Sequence, residues 1–88
     1  MNSEESLLEF PCEFPIKVMG KSDDNFDALV VEIVRRHSPD LREGAVKSRF
    51  SREGNFVSVT VTIQAQSRRQ LDNIYMELTA NKRVLMAL

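Results

Sequence analysis

A strict alternation of side chains from Phe56 to Gln66 limits what this chain can fold into more than any other feature of its sequence. Every second residue is apolar, and apart from Phe56 the residues between them are polar. Because successive side chains of a β-strand point to opposite faces, the pattern predicts a strand with one buried and one wet face. The residues predicted to be buried are Val57, Val59, Val61, Ile63 and Ala65, and those predicted on the other face are Phe56, Ser58, Thr60, Thr62, Gln64 and Gln66.

A second strand is predicted just before it, over residues 45–52, across a turn signalled by Glu53 and Gly54. Both strands keep a consistent alternation if a two-residue loop joins them, and this consistency supports the register. The pairs set opposite one another would be Val46 with Val61, Lys47 with Thr60, Ser48 with Val59, Arg49 with Ser58 and Phe50 with Val57.

A first helix is predicted between residues 22 and 38, where apolar residues recur at i, i+3, i+4, i+7 and i+8. Ser22, Asp23 and Asp24 are all suitable N-caps, and Pro39 predicts that the helix stops near Ser38. The expected buried stripe is Phe26, Leu29, Val30, Ile33 and Val34.

A second helix is predicted to start at the capping box formed by Ser67 and Gln70. Asn81 is suited to a left-handed C-cap at its other end. The expected buried stripe is Leu71, Ile74, Tyr75 and Leu78.

The first and last strands of the chain complete the pattern. In the first, Phe14, Ile16 and Val18 alternate with Pro15, Lys17 and Met19, and Gly20 is expected to end it; the last covers residues 84–88. The order predicts an α+β, ferredoxin-like βαββαβ sandwich, with an antiparallel sheet of order 4-1-3-2 and two helices on one face. We expect residues 11–88 to form this single domain and residues 1–10 to form an N-terminal tail, docked through Leu7, Leu8 and Phe10.

Composition narrows the function classes. Twelve Lys and Arg residues against thirteen Asp and Glu give a net charge of -1, so the chain lacks the field of a non-specific nucleic-acid binder. Its first residues are acidic where a signal peptide would be basic, and no stretch is long and apolar enough to span a membrane. We therefore expect a cytoplasmic protein that does not bind membranes, and we do not expect non-specific binding to nucleic acid.

No catalytic site is recognisable. His37 is the only histidine and Cys12 the only cysteine, which is too few for a typical metal site and leaves a nucleophile without an evident base. The position of His37 in the last helical turn is explained by the helix dipole. We expect a chain that is not an enzyme and that uses neither a metal nor another cofactor.

Several segments together resemble the YbeD-like family of small bacterial proteins of unknown function. No single motif is specific, but their order and spacing extend from about residue 6 to residue 88. They are Leu7-Leu8-Glu9-Phe10-Pro11, Lys17-Val18-Met19-Gly20, Val30-Val31-Glu32-Ile33-Val34 with Arg36-His37, Gly54-Asn55-Phe56 with Ser58-Val59, and residues 84–88. The resemblance implies a βαββαβ fold similar to the ACT regulatory domains. It also implies a link to lipoate metabolism, because the family is often encoded near the octanoyltransferase of lipoate attachment.

The leading hypothesis is a small regulatory or protein-interaction module that could bind a small-molecule effector. In ACT domains the loop after the first strand faces the effector, and here that loop contains Gly20, Lys21, Ser22 and Asp23. Gly20 would let the backbone approach a ligand, and helix amides could bind an anion. The structural alternative is that Gly20 only makes the turn and Ser22 only caps the helix.

The alternative function is an RNA-binding module that uses the open sheet face. The candidate contacts are Lys17, Lys47, Arg49 and Thr60. Gly54-Asn55-Phe56-Val57 is similar to the start of an RNA-recognition motif, but Ser58 and Thr60 stand where stacking rings are needed.

The last strand is predicted to be an interaction edge for a protein partner or a second copy, because it carries no charge to blunt an unpaired edge. Its residues are Val84, Leu85, Met86, Ala87 and Leu88. If Val84, Met86 and Leu88 face the helices, Leu85 and Ala87 join Met19 in an apolar patch on the open face. The N-terminal tail is the other candidate cover for that patch.

Overall fold

A computed structural model describes residues 8–22 and 25–88 of the chain. The strands are β1 (Cys12–Lys21), β2 (Val46–Phe50), β3 (Phe56–Ala65) and β4 (Val84–Ala87), and the helices are α1 (Phe26–His37) and α2 (Arg68–Ala80). A short 3-10 turn, Glu43–Ala45, precedes β2. The predicted βαββαβ order is confirmed.

The four strands form one antiparallel sheet in the order β2-β3-β1-β4, as predicted. Its centre is the β1–β3 ladder, in which ten consecutive pairs run from Cys12 opposite Ala65 to Lys21 opposite Phe56. Both helices cover one face of this sheet and leave the other open.

The predicted register between β2 and β3 is confirmed at all five pairs, from Val46 opposite Val61 to Phe50 opposite Val57. The connection is longer than two residues, because the Ser51 N–H donates to the Phe56 carbonyl at 2.9 Å and leaves residues 52–55 as the loop. Gly54 has a φ of 78°, a left-handed conformation that glycine adopts without strain. β2 is also shorter than the predicted 45–52.

One hydrophobic core lies between the helices and the sheet. The alternation of β3 is confirmed, since every apolar residue predicted to be buried there is 0–5% exposed. Leu8 and Phe10 pack against this core, whereas Leu7 lies outside the described residues. The rest of the core comes from Ile16, Val18, Phe26, Val30, Ile33, Val34, Leu41, Leu71, Ile74 and Leu78.

The capping box of α2 also joins the two helices. Ser67 Oγ accepts a hydrogen bond from the Gln70 N–H at 3.1 Å, as predicted for an N-cap. Gln70 Oε1 accepts from the N–H of Gln66 rather than Ser67, and its Nε2 donates to the His37 carbonyl at 2.8 Å. One side chain therefore holds the start of α2 against the end of α1.

Two predicted helix caps are wrong. Ser22 does not cap α1: its Oγ donates to the Gly54 carbonyl and its N–H to the Asn55 carbonyl, so the N-cap falls to Asn25 at φ 68°. Asp23 and Asp24 lie outside the described residues. Asn81 is extended rather than left-handed, with φ -86°, because its Oδ1 accepts the Arg83 N–H at 2.9 Å and turns the chain into β4.

Gly20 does not end β1, which continues to Lys21, and it does not open the backbone to a ligand. Gly20 is buried, and a Cβ at this position would lie 2.5 Å from Cζ of Phe26 and 2.8 Å from the Arg83 carbonyl oxygen. The missing side chain makes room for the Phe26 ring in the core.

We predict that Gly20→Ala lowers the free energy of unfolding by about 1–3 kcal/mol in urea denaturation, because the added methyl overlaps a packed ring. Phe26→Leu in the same chain should recover part of this loss. The control is Gly44→Ala, where a Cβ would meet nothing within 4 Å. Equal costs at the two glycines would contradict this account of Gly20.

Candidate functional site

The open face of the sheet is ordered in rows that cross all four strands. Residues directly opposite in antiparallel strands share a face, so the pairings define these rows. Lys17 exchanges both backbone hydrogen bonds with Leu88, at 3.0 and 2.8 Å, which extends the pairing beyond β4 itself. The first row is Arg49, Ser58, Met19 and Met86, and the second is Lys47, Thr60, Lys17 and Leu88.

The β4 residues on the open face differ from those predicted. Met19 pairs with Met86 and Gly20 with Val84, so Leu85 is the extra residue of a β-bulge. The bulge shifts the alternation by one residue. Val84 and Ala87 therefore pack against the core, while Met86 and Leu88 join the open face; the expectation that Ala87 lies on the open face, with Met86 and Leu88 toward the helices, is wrong.

Positive charge is concentrated on the same face. The strands carry four cations, Lys17, Lys21, Lys47 and Arg49, and one acid, Glu13. All five alternate with core-facing residues, so all five lie on the open face. Within the described residues none of these cations is in an ion pair. A chain of net charge -1 thus presents a basic sheet face.

An apolar column of Met19, Met86 and Leu88 borders this basic area. Met86 is 48% and Leu88 61% exposed, and Leu85 beside them is 56% exposed. β4 lies at one edge of the sheet and carries no charged residue. Within the described chain, its outer backbone N–H and C=O groups are therefore free to pair with another strand. The strand predicted to be an interaction edge therefore lies at the edge of the sheet with exposed apolar side chains, and its role in binding stays a prediction.

A groove of about 920 Å³ lies at the other border of the open face. It forms because β3 extends beyond the start of β2, and the chain between α1 and β2 lies beside the uncovered part of β3. Its floor includes Thr60, Thr62 and Gln64 of β3. The charged residues that line it are Glu13, Asp40, Arg42 and Lys47.

The wall of this groove is held in place by the core and by helix α1. Leu41 is only 8% exposed, and its carbonyl accepts a hydrogen bond from Arg35 Nη2 at 3.0 Å. Buried Ser38 accepts the Leu41 N–H on its carbonyl and bonds Asp40 through its hydroxyl at 3.3 Å. This groove was not predicted from the sequence, where its one signal is that the second predicted strand is shorter than the third.

The predicted effector loop is only partly assembled. Lys21 and Ser22 line a cleft of about 440 Å³ together with Asn55 and Phe56 of the hairpin. The space that a side chain at Gly20 would occupy lies on the core side and is taken by the Phe26 ring. Asp23 lies outside the described residues. The geometry thus gives Ser22 the role of tying β1 to the β2–β3 hairpin.

The single histidine lies between the helices. His37 Nε2 is 2.8 Å from Glu77 Oε1, and Arg36 forms an ion pair with the same carboxylate. Burial raises the pKa of the Tyr75 hydroxyl, so it remains protonated at neutral pH. Residues 8–22 and 25–88 contain no group of three His, Cys, Asp or Glu side chains able to hold a metal ion, and no helix there is long and apolar enough to cross a membrane.

The fold and the open face define a small ferredoxin-like domain. The solution structure of protein HP0495 from H. pylori superimposes with a TM-score of 0.69 at 15% identity, covering 92% of this chain and 85% of that chain. This similarity supports the fold alone.

The chain belongs to the family described as "Protein of unknown function (DUF493)", whose model matches residues 5–88. A UPF0250 protein of Chromobacterium violaceum is 48% identical over 99% of this chain and 98% of its own. A UPF0250 protein of Nitrosomonas europaea is 48% identical over 98% of this chain and 99% of its own. The predicted family of small bacterial proteins is thereby confirmed.

We predict that Arg35→Met loosens the groove wall, because it removes the donor to Leu41 while keeping an aliphatic side chain. The amides of Arg42, Gly44 and Ala45 should exchange with solvent several-fold faster, and the free energy of unfolding should fall by about 1 kcal/mol. Arg69→Met, at an exposed position of α2, is the control. Unchanged exchange rates in Arg35→Met would show that the wall does not depend on this bond.

Proposed function

We propose that this chain is a non-enzymatic protein-interaction module that binds an acidic, partly apolar segment of a partner protein across its open sheet face. The observation that carries the proposal is the arrangement of the two rows, in which apolar side chains at β4 are followed, toward β2, by cations that form no ion pair with any other described residue. A regulatory role is the natural use of such a module.

The apolar column supports binding to a protein. Met86 and Leu88 are on a strand edge with Leu85 exposed beside them, and exposed apolar groups that are contiguous usually mark an interaction surface. An extended segment could also pair with the outer edge of β4, where main-chain hydrogen bonds add affinity and side-chain contacts add specificity.

The charges support an acidic partner. Lys17 and Lys47 flank Thr60 in one row, and Arg49 lies two residues from Lys47 on β2. Such exposed cations steer a negatively charged partner toward the face and select against a positively charged one. The family resemblance makes the octanoyltransferase of lipoate attachment the first natural partner to test.

A second copy of this chain is the less favoured occupant. A strand-to-strand contact would use only the four residues of β4, Val84–Ala87, whereas a stable interface typically buries roughly 1,000 Å² or more. Pairing two copies edge to edge would also continue the basic face from one copy to the next.

Single-stranded RNA is the second candidate, and one observation favours it. Phe56 is 48% exposed on the open face, directly opposite Lys21, where a base could stack beside a phosphate contact. Ser58 and Thr60 leave the centre of the face without rings, so we expect RNA to bind more weakly than an acidic peptide.

The test is fluorescence anisotropy with a labelled ten-residue peptide of alternating Glu and Leu. We predict salt-sensitive binding whose Kd rises roughly tenfold in the double variant Lys17→Glu, Lys47→Glu, because two attractive charges become repulsive. Arg69→Glu with Lys82→Glu has the same net charge and should bind like the unmodified chain. Met86→Ser should weaken binding without changing its dependence on salt.

Three results would overturn the proposal. An equal loss in both double variants would show that only net charge matters. Equal binding of an alternating Lys and Leu peptide would remove the need for an acidic partner. Tighter binding of a twelve-nucleotide oligouridine than of the acidic peptide, lost in the same open-face variant, would establish the RNA alternative.

A further inference from the structure

We propose that the groove beside β3 binds a short zwitterionic ligand, with the chemistry of a di- or tripeptide with free termini, and that this ligand weakens binding of the acidic partner. The groove site stands on its own geometry. The regulatory part rests on the proposed function.

The shape of the groove suits a small ligand. Its volume of about 920 Å³ falls in the range of small-molecule sites, roughly 300–1,000 Å³. Its floor offers the hydroxyls of Thr60 and Thr62 and the amide of Gln64, all able to bond a polar chain. The wall is anchored by Leu41 and Arg35, so little ordering of the protein should be needed on binding.

The charges of the groove are mixed and do not neutralise one another. Lys47 and Arg42 are cationic, Glu13 and Asp40 are anionic, and none is in an ion pair within the described residues. Asp40 instead accepts a hydrogen bond from Ser38. A ligand that carries only one sign of charge would be attracted by either the two cations or the two acids and repelled by the others. A zwitterion can interact favourably with both sets.

The register of the sheet sets the separation of these charges. Lys47 lies opposite Thr60 and Glu13 opposite Gln64, four residues further along β3 and on the far side of it. The backbones of Lys47 and Glu13 are therefore offset by about 13 Å along the strands and about 10 Å across them. If both side chains extend toward each other, a gap of roughly 6–10 Å remains between the ammonium group and the carboxylate. Two or three extended residues span about 7–10 Å, which matches a di- or tripeptide.

The groove and the partner-binding face share residues. Lys47 and Thr60 line the groove and also form one end of the second row. A ligand carboxylate bound to Lys47 would withdraw that cation from the acidic partner. Occupancy of the groove and binding of the partner should therefore oppose one another, and by linkage each should weaken the other by the same factor.

The test is an NMR titration of the ¹⁵N-labelled full chain with triglycine, beside N-acetyl-triglycine, which lacks the positive terminus, and triglycine amide, which lacks the negative one. We expect triglycine to shift the amides of Thr60, Thr62, Gln64 and Arg42, with both analogues binding roughly tenfold more weakly. Lys47→Gln and Glu13→Gln should each weaken triglycine binding several-fold. Lys21→Gln and Glu53→Gln, outside the groove, should not.

The outcomes separate the two proposals. No shift of groove amides up to roughly 10 mM triglycine, or equal binding of N-acetyl-triglycine, would overturn the zwitterion site whether or not the acidic peptide binds. If triglycine binds but does not raise the Kd of the alternating Glu and Leu peptide, the regulatory part is wrong and the site stands. If that peptide never binds, the proposed function fails while the triglycine titration is still decisive for the groove.

Discussion

The ten-pair ladder between β1 and β3 is the constraint on which the rest of this domain depends. It joins residues that are 35 to 53 positions apart in the sequence and fixes which face each of their side chains occupies. Ile16 and Val18 are placed opposite Val61 and Val59 in the core, and Lys17 is placed opposite Thr60 on the open face. A shift of one residue would exchange the two faces, so burial of the core and composition of the open face are decided together.

Packing on the core side also shapes the open face. The Phe26 ring occupies the space over Gly20, and the bulge in β4 falls at the same place, between Met19 and Gly20. Because the bulge adds Leu85, the residues after it change faces, and Met86 and Leu88 are brought beside Met19 and Lys17. The apolar column of Met19, Met86 and Leu88 thus results from the β-bulge in the edge strand β4.

The sequence predicted the fold and most of the open face because those depend on period-two patterns that are local and unambiguous. The alternate apolar residues from Val57 to Ala65 could face only the core, and this orientation of β3 determined the register of β2. The faces of β4 could not be predicted, because residues 84–88 are all apolar and satisfy either alternation equally well. The roles of Gly20 and Ser22 and the groove behind residues 38–45 depend on tertiary contacts with Phe26, Gly54 and Arg35, which no local pattern encodes.

The composition of the open face is the central claim, and side-chain NOEs in the full chain test it most directly. The account predicts cross-peaks between the methyl groups of Met19 and Met86 and between Lys17 and Leu88, because these pairs are opposite one another on one face. It also predicts that Ala87 contacts the core. Cross-peaks from Met19 to Leu85 and Ala87, with Met86 and Leu88 instead contacting the helices, would contradict it.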